Sequence, residues 1–210
     1  MSRRSTITNR LRVLGVTPRI VLFAGLWLAS VSVGMASLAS YDTRPGPNAE
    51  PPLQWPSASS IEPVPGRPTL VVLAHPKCPC TRATVAEVAV LMTAFRRRVD
   101  VHILFELPAG APDGWEQTDI WRSAAAIPGV DVGIDADGVE AARFHAITSG
   151  QTILYDAAGN LRFTGGITAA RGEQGGNLGL DAVAEAIIRP KGAATSAPVY
   201  GCLFRREQNS

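Results

Sequence analysis

Leu70-Val71-Val72-Leu73-Ala74-His75-Pro76-Lys77-Cys78-Pro79-Cys80-Thr81 places an apolar run, a turn and two thiols in immediate succession. A short aliphatic run closed by His-Pro reads as a buried strand. Beyond it, Val85, Val88, Ala89, Met92 and Phe95 recur at helical spacing. Pro79 suits the first position of that helix, where no intrahelical N–H bond is required. The two cysteines therefore flank a proline at a strand-to-helix junction.

Working outward, 101–105 reads as a second strand and 115–126 as a helix carrying Trp115 and Trp121. A short strand is expected at 130–134, a short helix at 138–146 and a further strand at 151–155. Asp156-Ala157-Ala158-Gly159-Asn160 supplies turn residues, and 161–164 is the returning strand of a hairpin. A last helix over 180–188 rests on Leu180, Val183, Ala184, Ile187 and Ile188. The order β-α-β-α-β-α-β-β-α predicts an α/β body over residues 69–190, with parallel units first and a hairpin near the end. Residues 191–210 form a tail.

The remaining sequence precedes the body. Of 210 residues, 46% are hydrophobic and 18% charged, which excludes a disordered chain. Five of the twenty basic residues (Arg3, Arg4, Arg10, Arg12 and Arg19) lie before position 41, where there is no acid. The rest holds fifteen basic against eighteen acidic side chains, a balance unsuited to binding nucleic acid. Residues 20–41 carry no charge and are long enough to cross a bilayer. With the arginines on its near side, the positive-inside rule puts residues 1–19 in the cytoplasm and the body outside the membrane, in the periplasm. A cleaved signal peptide with Ser37-Leu38-Ala39 at its cleavage site is the competing reading. Eight of the sixteen prolines fall within 42–68, which predicts an extended, semi-rigid spacer.

The element order, with a cysteine-bearing turn after the first body strand, resembles the thioredoxin-like fold family: a central mixed sheet flanked by helices. The match is to its membrane-tethered, exported thiol-disulfide oxidoreductases. HPKCPCT and the late segment SGQTILYDAAGNLRFTGGI carry the resemblance, and HPKCPC with PVYGC resembles RedB-type chains. The resemblance implies a redox-active centre at Cys78 and Cys80, a protein dithiol or disulfide as partner, and no cofactor. A thiolate is the reactive species, and a helix N-terminus favours it through unpaired N–H groups. Lys77 adds a cationic neighbour, and His75 can accept a proton.

This chain departs from the family pattern in two ways. It has Cys-x-Cys in place of Cys-x-x-Cys, so either Lys77 stands where the family has its attacking cysteine, or one residue is deleted and Cys78 attacks. At the family's cis-proline, which presents backbone to substrate, stands Gln151. Side chains two apart on a regular helix diverge by about 200°, so a Cys78–Cys80 bond needs Cys78 outside the first turn. Cys202, in Pro198-Val199-Tyr200-Gly201-Cys202, offers another partner if the tail folds back. A rival reading is Cu(I) binding and copper delivery, with Cys78, Cys80 and His75 as soft S/S/N ligands completed by His145 or Cys202. The loop 172–177 lacks the Lys-Ser/Thr ending of a phosphate cradle and is expected to cover an edge of the site. Asp135 and Asp137 read as turn residues.

Overall fold

The computed structural model describes residues 17–189 and 192–204. Arg3, Arg4, Arg10 and Arg12 of the expected cytoplasmic segment lie outside the described residues, as does the tail from 205 onward. The chain divides into two compact units, Met1–Thr43 and Arg44–Ser210.

The first unit contains helix α1, Pro18–Asp42. Its start is fixed by Thr17, whose hydroxyl accepts from the Ile20 N–H at 3.4 Å, and by Pro18 in the first turn. Twenty-five residues at 1.5 Å each reach about 37 Å, more than a hydrocarbon core of about 30 Å. The mean hydropathy over its most apolar window is 1.9. Ser30 and Ser37 donate to the Leu26 and Val33 carbonyls one turn back, at 2.9 and 2.8 Å. Their hydroxyls are thereby satisfied within the helix, as an apolar medium demands.

The second unit is built on six strands and four helices among the described residues. In chain order these are β1 Thr69–Ala74, α2 Pro79–Phe95, β2 Asp100–Leu107, α3 Asp119–Ala125, β3 Val130–Ala136, α4 Val139–Arg143, β4 Gln151–Tyr155, β5 Leu161–Gly165, α5 Leu178–Ile188 and β6 Thr195–Ser196. The sheet order is β3-β2-β1-β4-β5-β6. β1 pairs parallel with β2 and antiparallel with β4, and β2 pairs parallel with β3. β4 and β5 form the expected hairpin, and β6 joins β5 in parallel.

Every residue of β1 is buried, because helices or chain cover both faces of the sheet. That is why its sequence is continuously apolar instead of alternating. Leu70 and Val72 pack with Val85 and Val88 of α2, Phe163, and Val183 and Ile187 of α5. Val71 and Leu73 face the other way, among Phe144, Ile153, Tyr155 and Leu161.

Several expectations need correction. The helix expected at 115–126 begins only at Asp119, because turns close from Trp115 N to Pro112 O and from Gln117 N to Gly114 O. Thr118 then caps the helix with its hydroxyl on the Trp121 N–H. The helix expected at 138–146 is confined to Val139–Arg143, and His145 leaves the helical region with φ 53°. The largest correction concerns 42–68. From Gly46 onward this segment lies against the body instead of standing off as a spacer. Thr148 Oγ1 donates to Pro47 O at 2.6 Å, Tyr155 OH to Pro52 O at 2.9 Å, and Trp55 N to Gly159 O at 2.8 Å. The Trp55 ring meets Phe144 and Tyr155 edge-on, at 5.2 Å from each. Proline removes donors but keeps its carbonyl, and these carbonyls are what the body uses. The tail is also part of the unit, since β6 extends the sheet.

Candidate functional site

β1 ends at Ala74 and delivers the chain into the turn that starts α2. Cys78 is the N-cap of that helix, with extended backbone (φ −88°, ψ 120°), Pro79 follows, and Cys80 lies in the first turn. Cys78 thus stands outside the helix proper, which meets the condition for its sulfur to approach that of Cys80. Cys78 N donates to His75 O at 3.2 Å, and Thr81 N to Cys78 O at 3.0 Å.

The tail brings the third thiol. Cys202 Sγ lies 3.2 Å from Cys78 Sγ. Cys78 is 2% exposed and Cys80 8%, whereas Cys202 is exposed to solvent. Cys78 is therefore flanked by two other sulfurs. A hydrogen bond from the Cys80 thiol is the main reason its pKa falls to about 4. Burial opposes the fall, while Cys202 and the Thr81 backbone N–H support it. Cys80 is pushed upward by the same bond to Cys78 and by burial. Cys202 is pushed up to about 11 by burial and by its bond to Cys78, with Arg171 opposing. The arrangement holds one thiolate between two thiols that donate to it.

The residues before the thiols shape the turn. His75 Nδ1 accepts from Lys77 N at 3.1 Å, and its Nε2 lies 4.0 Å from the carboxylate of buried Glu106. Lys77 sends its ammonium over the Trp115 ring, 4.5 Å from the centroid, and the same ring meets His75 edge-on. The foremost influences on Cys78 come from its fellow cysteines. Lys77, expected to act on it as a charge, is engaged with the indole. His145 bonds the Glu50 carbonyl through Nδ1 at 2.9 Å. Among the described residues, the one group of three His, Cys, Asp or Glu ligand atoms mutually within 4.8 Å is Asp100, His102 and Asp131. It lies at the start of β2 and β3, at the far end of the parallel strands from Cys78.

The loop before β4 forms the other wall. Ser149 is fully buried. Its hydroxyl accepts from His75 N at 2.8 Å and shares a 2.8 Å bond with Thr81 Oγ1, tying the loop to both sides of the cysteine turn. Gly150 adopts φ +88° with its N–H on Leu73 O. Gln151 is buried and spans the loop, accepting from Ile147 N at 3.4 Å and donating to Ala49 O at 3.5 Å. No cis peptide bond occurs among the described residues.

The tail is laid along this loop. Ser149 N donates to Cys202 O at 2.8 Å and Phe204 N to Ile147 O at 3.1 Å, around an antiparallel bridge between Thr148 and Leu203. Arg171 Nη1 donates to Gly201 O at 2.7 Å, and Gly46 N to Val199 O at 2.8 Å. A Cβ at Gly201 would overlap the Ser149 carbonyl, so only glycine fits there. The sequence had shown no sign of Ser149 or Arg171 as site residues. Serine and arginine are common in loops, and only the fold brings these two to the thiols. The loop 172–177 packs on α2 through Gly175 N and Glu87, and Asn177 caps α5. Asp137 lies in the turn as expected, but Asp135 belongs to β3, paired with Glu106. Its carboxylate reaches forward to accept the Glu140 and Ala141 N–H groups at 2.7 and 2.9 Å, holding the start of α4.

No protein-family model matches the sequence, and no curated protein does. Solved structures do resemble it. A hypothetical protein from Sinorhizobium meliloti 1021 is 17% identical, with 80% of this chain and 100% of that one covered and a TM-score of 0.60. An uncharacterized conserved protein from Geobacillus kaustophilus is 12% identical, covering 80% and 95%, with a TM-score of 0.59. A secreted disulfide oxidoreductase of Mycobacterium tuberculosis, described as homologous to the Escherichia coli protein DsbE, is 18% identical over 59% of this chain and 82% of that one, at a TM-score of 0.43. The body has a thioredoxin-like fold, a mixed sheet between helices with its cysteines at the start of the helix after β1.

Proposed function

We propose that this chain is a membrane-anchored, extracytoplasmic thiol-disulfide oxidoreductase in which Cys78 is the attacking sulfur. The observation that carries the reading is the position of Cys78, a helix N-cap sulfur between two thiols that lower its pKa to about 4. Such a sulfur is a thiolate at neutral pH, ready to attack a disulfide. In the reducing direction, Cys78 bonds to one sulfur of a partner's disulfide and releases the other as a thiolate, which takes up a proton. Cys80 or Cys202 then gives up its proton and attacks Cys78. The second partner sulfur leaves as a thiol and the protein keeps the disulfide. The anchor would be α1, with the arginine-rich residues before it on the cytoplasmic side.

Mild oxidation of the reduced full chain in detergent, followed by thiol counting, tests the chemistry. Loss of two thiols per chain, abolished by Cys78→Ser, is expected, whereas three thiols that all stay free would refute it. Recovery of the chain in alkali-washed membranes tests the anchor, and release into the soluble fraction would refute that part. Cu(I) delivery is the second reading because the Cys78 and Cys202 sulfurs lie 3.2 Å apart, a soft pair of ligand atoms. Anaerobic titration of the reduced chain against a chromogenic Cu(I) chelator separates the two readings.

A further inference from the structure

The geometry points to residues 201–204 as an internal stand-in for the partner: the tail occupies the backbone edge beside Cys78 on which an extended, cysteine-bearing segment of a partner protein docks, and Cys202 is the thiol that displaces that partner on its return. This rests on the exchange reading above and adds to it the form of the substrate and the order of events. The tail is extended and antiparallel to the loop, and both of its inward backbone groups, Cys202 O and Phe204 N, are bonded to residues 149 and 147. Its cysteine projects onto Cys78 at 3.2 Å. A partner's cysteine presented on an extended strand would make the same two backbone bonds and place its sulfur in the same spot. The edge bonds main chain only, so it selects an extended conformation and a small residue before the cysteine, where Gly201 lies against the Ser149 carbonyl.

Two occupants cannot share one edge, so the tail must leave before the partner docks. The partner disulfide is then attacked by Cys78, which forms the mixed disulfide and frees one partner thiol. On return, the Cys202 thiol loses its proton to the departing partner sulfur and bonds to Cys78. The protein is left with a Cys78–Cys202 disulfide and the partner with two thiols. The disulfide bond of the partner is reduced by the electron pair that the two cysteines give up, so atoms and electrons balance. Cys202 suits this task better than Cys80 because it rides on a segment that leaves and comes back, and because it is open to solvent while Cys80 is buried.

The test compares two forms of the full chain in detergent, Cys202→Ser and a truncation after Tyr200. Both lack the third thiol and differ in the strand. The probes are a disulfide-bonded extended peptide with glycine before its cysteine, and cystamine, a small disulfide. Truncation should speed the reaction of Cys78 with the peptide about tenfold or more, as expected when a competitor holding two net backbone hydrogen bonds is removed. The gain for cystamine should be smaller. Phe204→Pro in the Cys202→Ser chain removes the Phe204 N–H donor and its ring while keeping the strand's length, and should give an intermediate rate, which guards against a misfolded truncation. Equal peptide rates in all three forms would overturn the tail's role while leaving exchange at Cys78 intact. No reaction with either probe in any form would overturn the exchange reading itself. Peptide mapping of the oxidised wild-type chain should find Cys78 joined to Cys202, and a Cys78–Cys80 bond as the sole product would refute the resolving role.

Discussion

Cys78 and Cys202, 124 positions apart in the sequence, hold their sulfur atoms 3.2 Å from each other. A disulfide needs about 2.05 Å, so a modest approach of two side chains would join them. The tail that brings Cys202 there is held by main-chain bonds to Ile147 and Ser149 and by Arg171 on Gly201.

The low pKa of Cys78 fixes the pH dependence of its reactivity. With a value of about 4, alkylation by iodoacetamide should be near its plateau at neutral pH and fall only in acid near pH 4. A rate that keeps climbing through pH 8 to 9 would contradict this.

The same shift affects stability, and its sign is definite. The folded state lowers the Cys78 pKa from 9.0 to about 4. The resulting stabilisation is complete above about pH 9, shrinks as the pH falls below that, and is gone below about pH 4. The stability difference between wild type and Cys78→Ala, followed by urea denaturation of both, should therefore narrow as the pH is lowered from 9 to 4.

Cys80 and Cys202 both favour the Cys78 thiolate. Cys80→Ala and Cys202→Ala should each raise the Cys78 pKa. Thiolate absorbance in the ultraviolet, titrated on both variants, checks this, and a pKa unchanged in both would sink the assignment.

Ser149 is buried and joins His75 N to Thr81 Oγ1. Ser149→Ala leaves both groups short of a partner in the interior and should cost about 1–3 kcal/mol. Urea denaturation measures the loss, and a cost within error of zero would mean that the loop is held by other contacts.

Trp55 packs its ring against Phe144 and Tyr155. Trp55→Ala should cost roughly 2–3 kcal/mol, less than the about 3–5 kcal/mol typical of a fully buried large aromatic because the ring is only half-buried. If 42–68 were a detached spacer, the same substitution would leave the denaturation midpoint unchanged.

The strand-to-helix junction was legible because its signals are local. A strand buried on both faces is apolar throughout, and Pro79, followed at once by apolar residues at helical spacing, marks a helix start. The hairpin was legible from its turn residues for the same reason. The role of the tail was not, because it is docked by backbone groups of residues 147, 149, 202 and 204 and by one arginine, Arg171, on the Gly201 carbonyl, which leaves no local sequence pattern to read. The proline-rich segment was misjudged because composition reports missing donors but not used acceptors. Pro47 and Pro52 are held through their carbonyls. Lys77 was placed correctly in sequence beside Cys78, but its long side chain turned to the face of Trp115.

Gly201 lies so close to the Ser149 carbonyl that even one methyl group would not fit, and the chain runs on past Phe204 from that tight passage. Purification handles or fluorescent fusions joined downstream would pull on a strand that touches the reactive sulfur. Assays made with such fusions would report altered access to Cys78, so tags are better carried elsewhere.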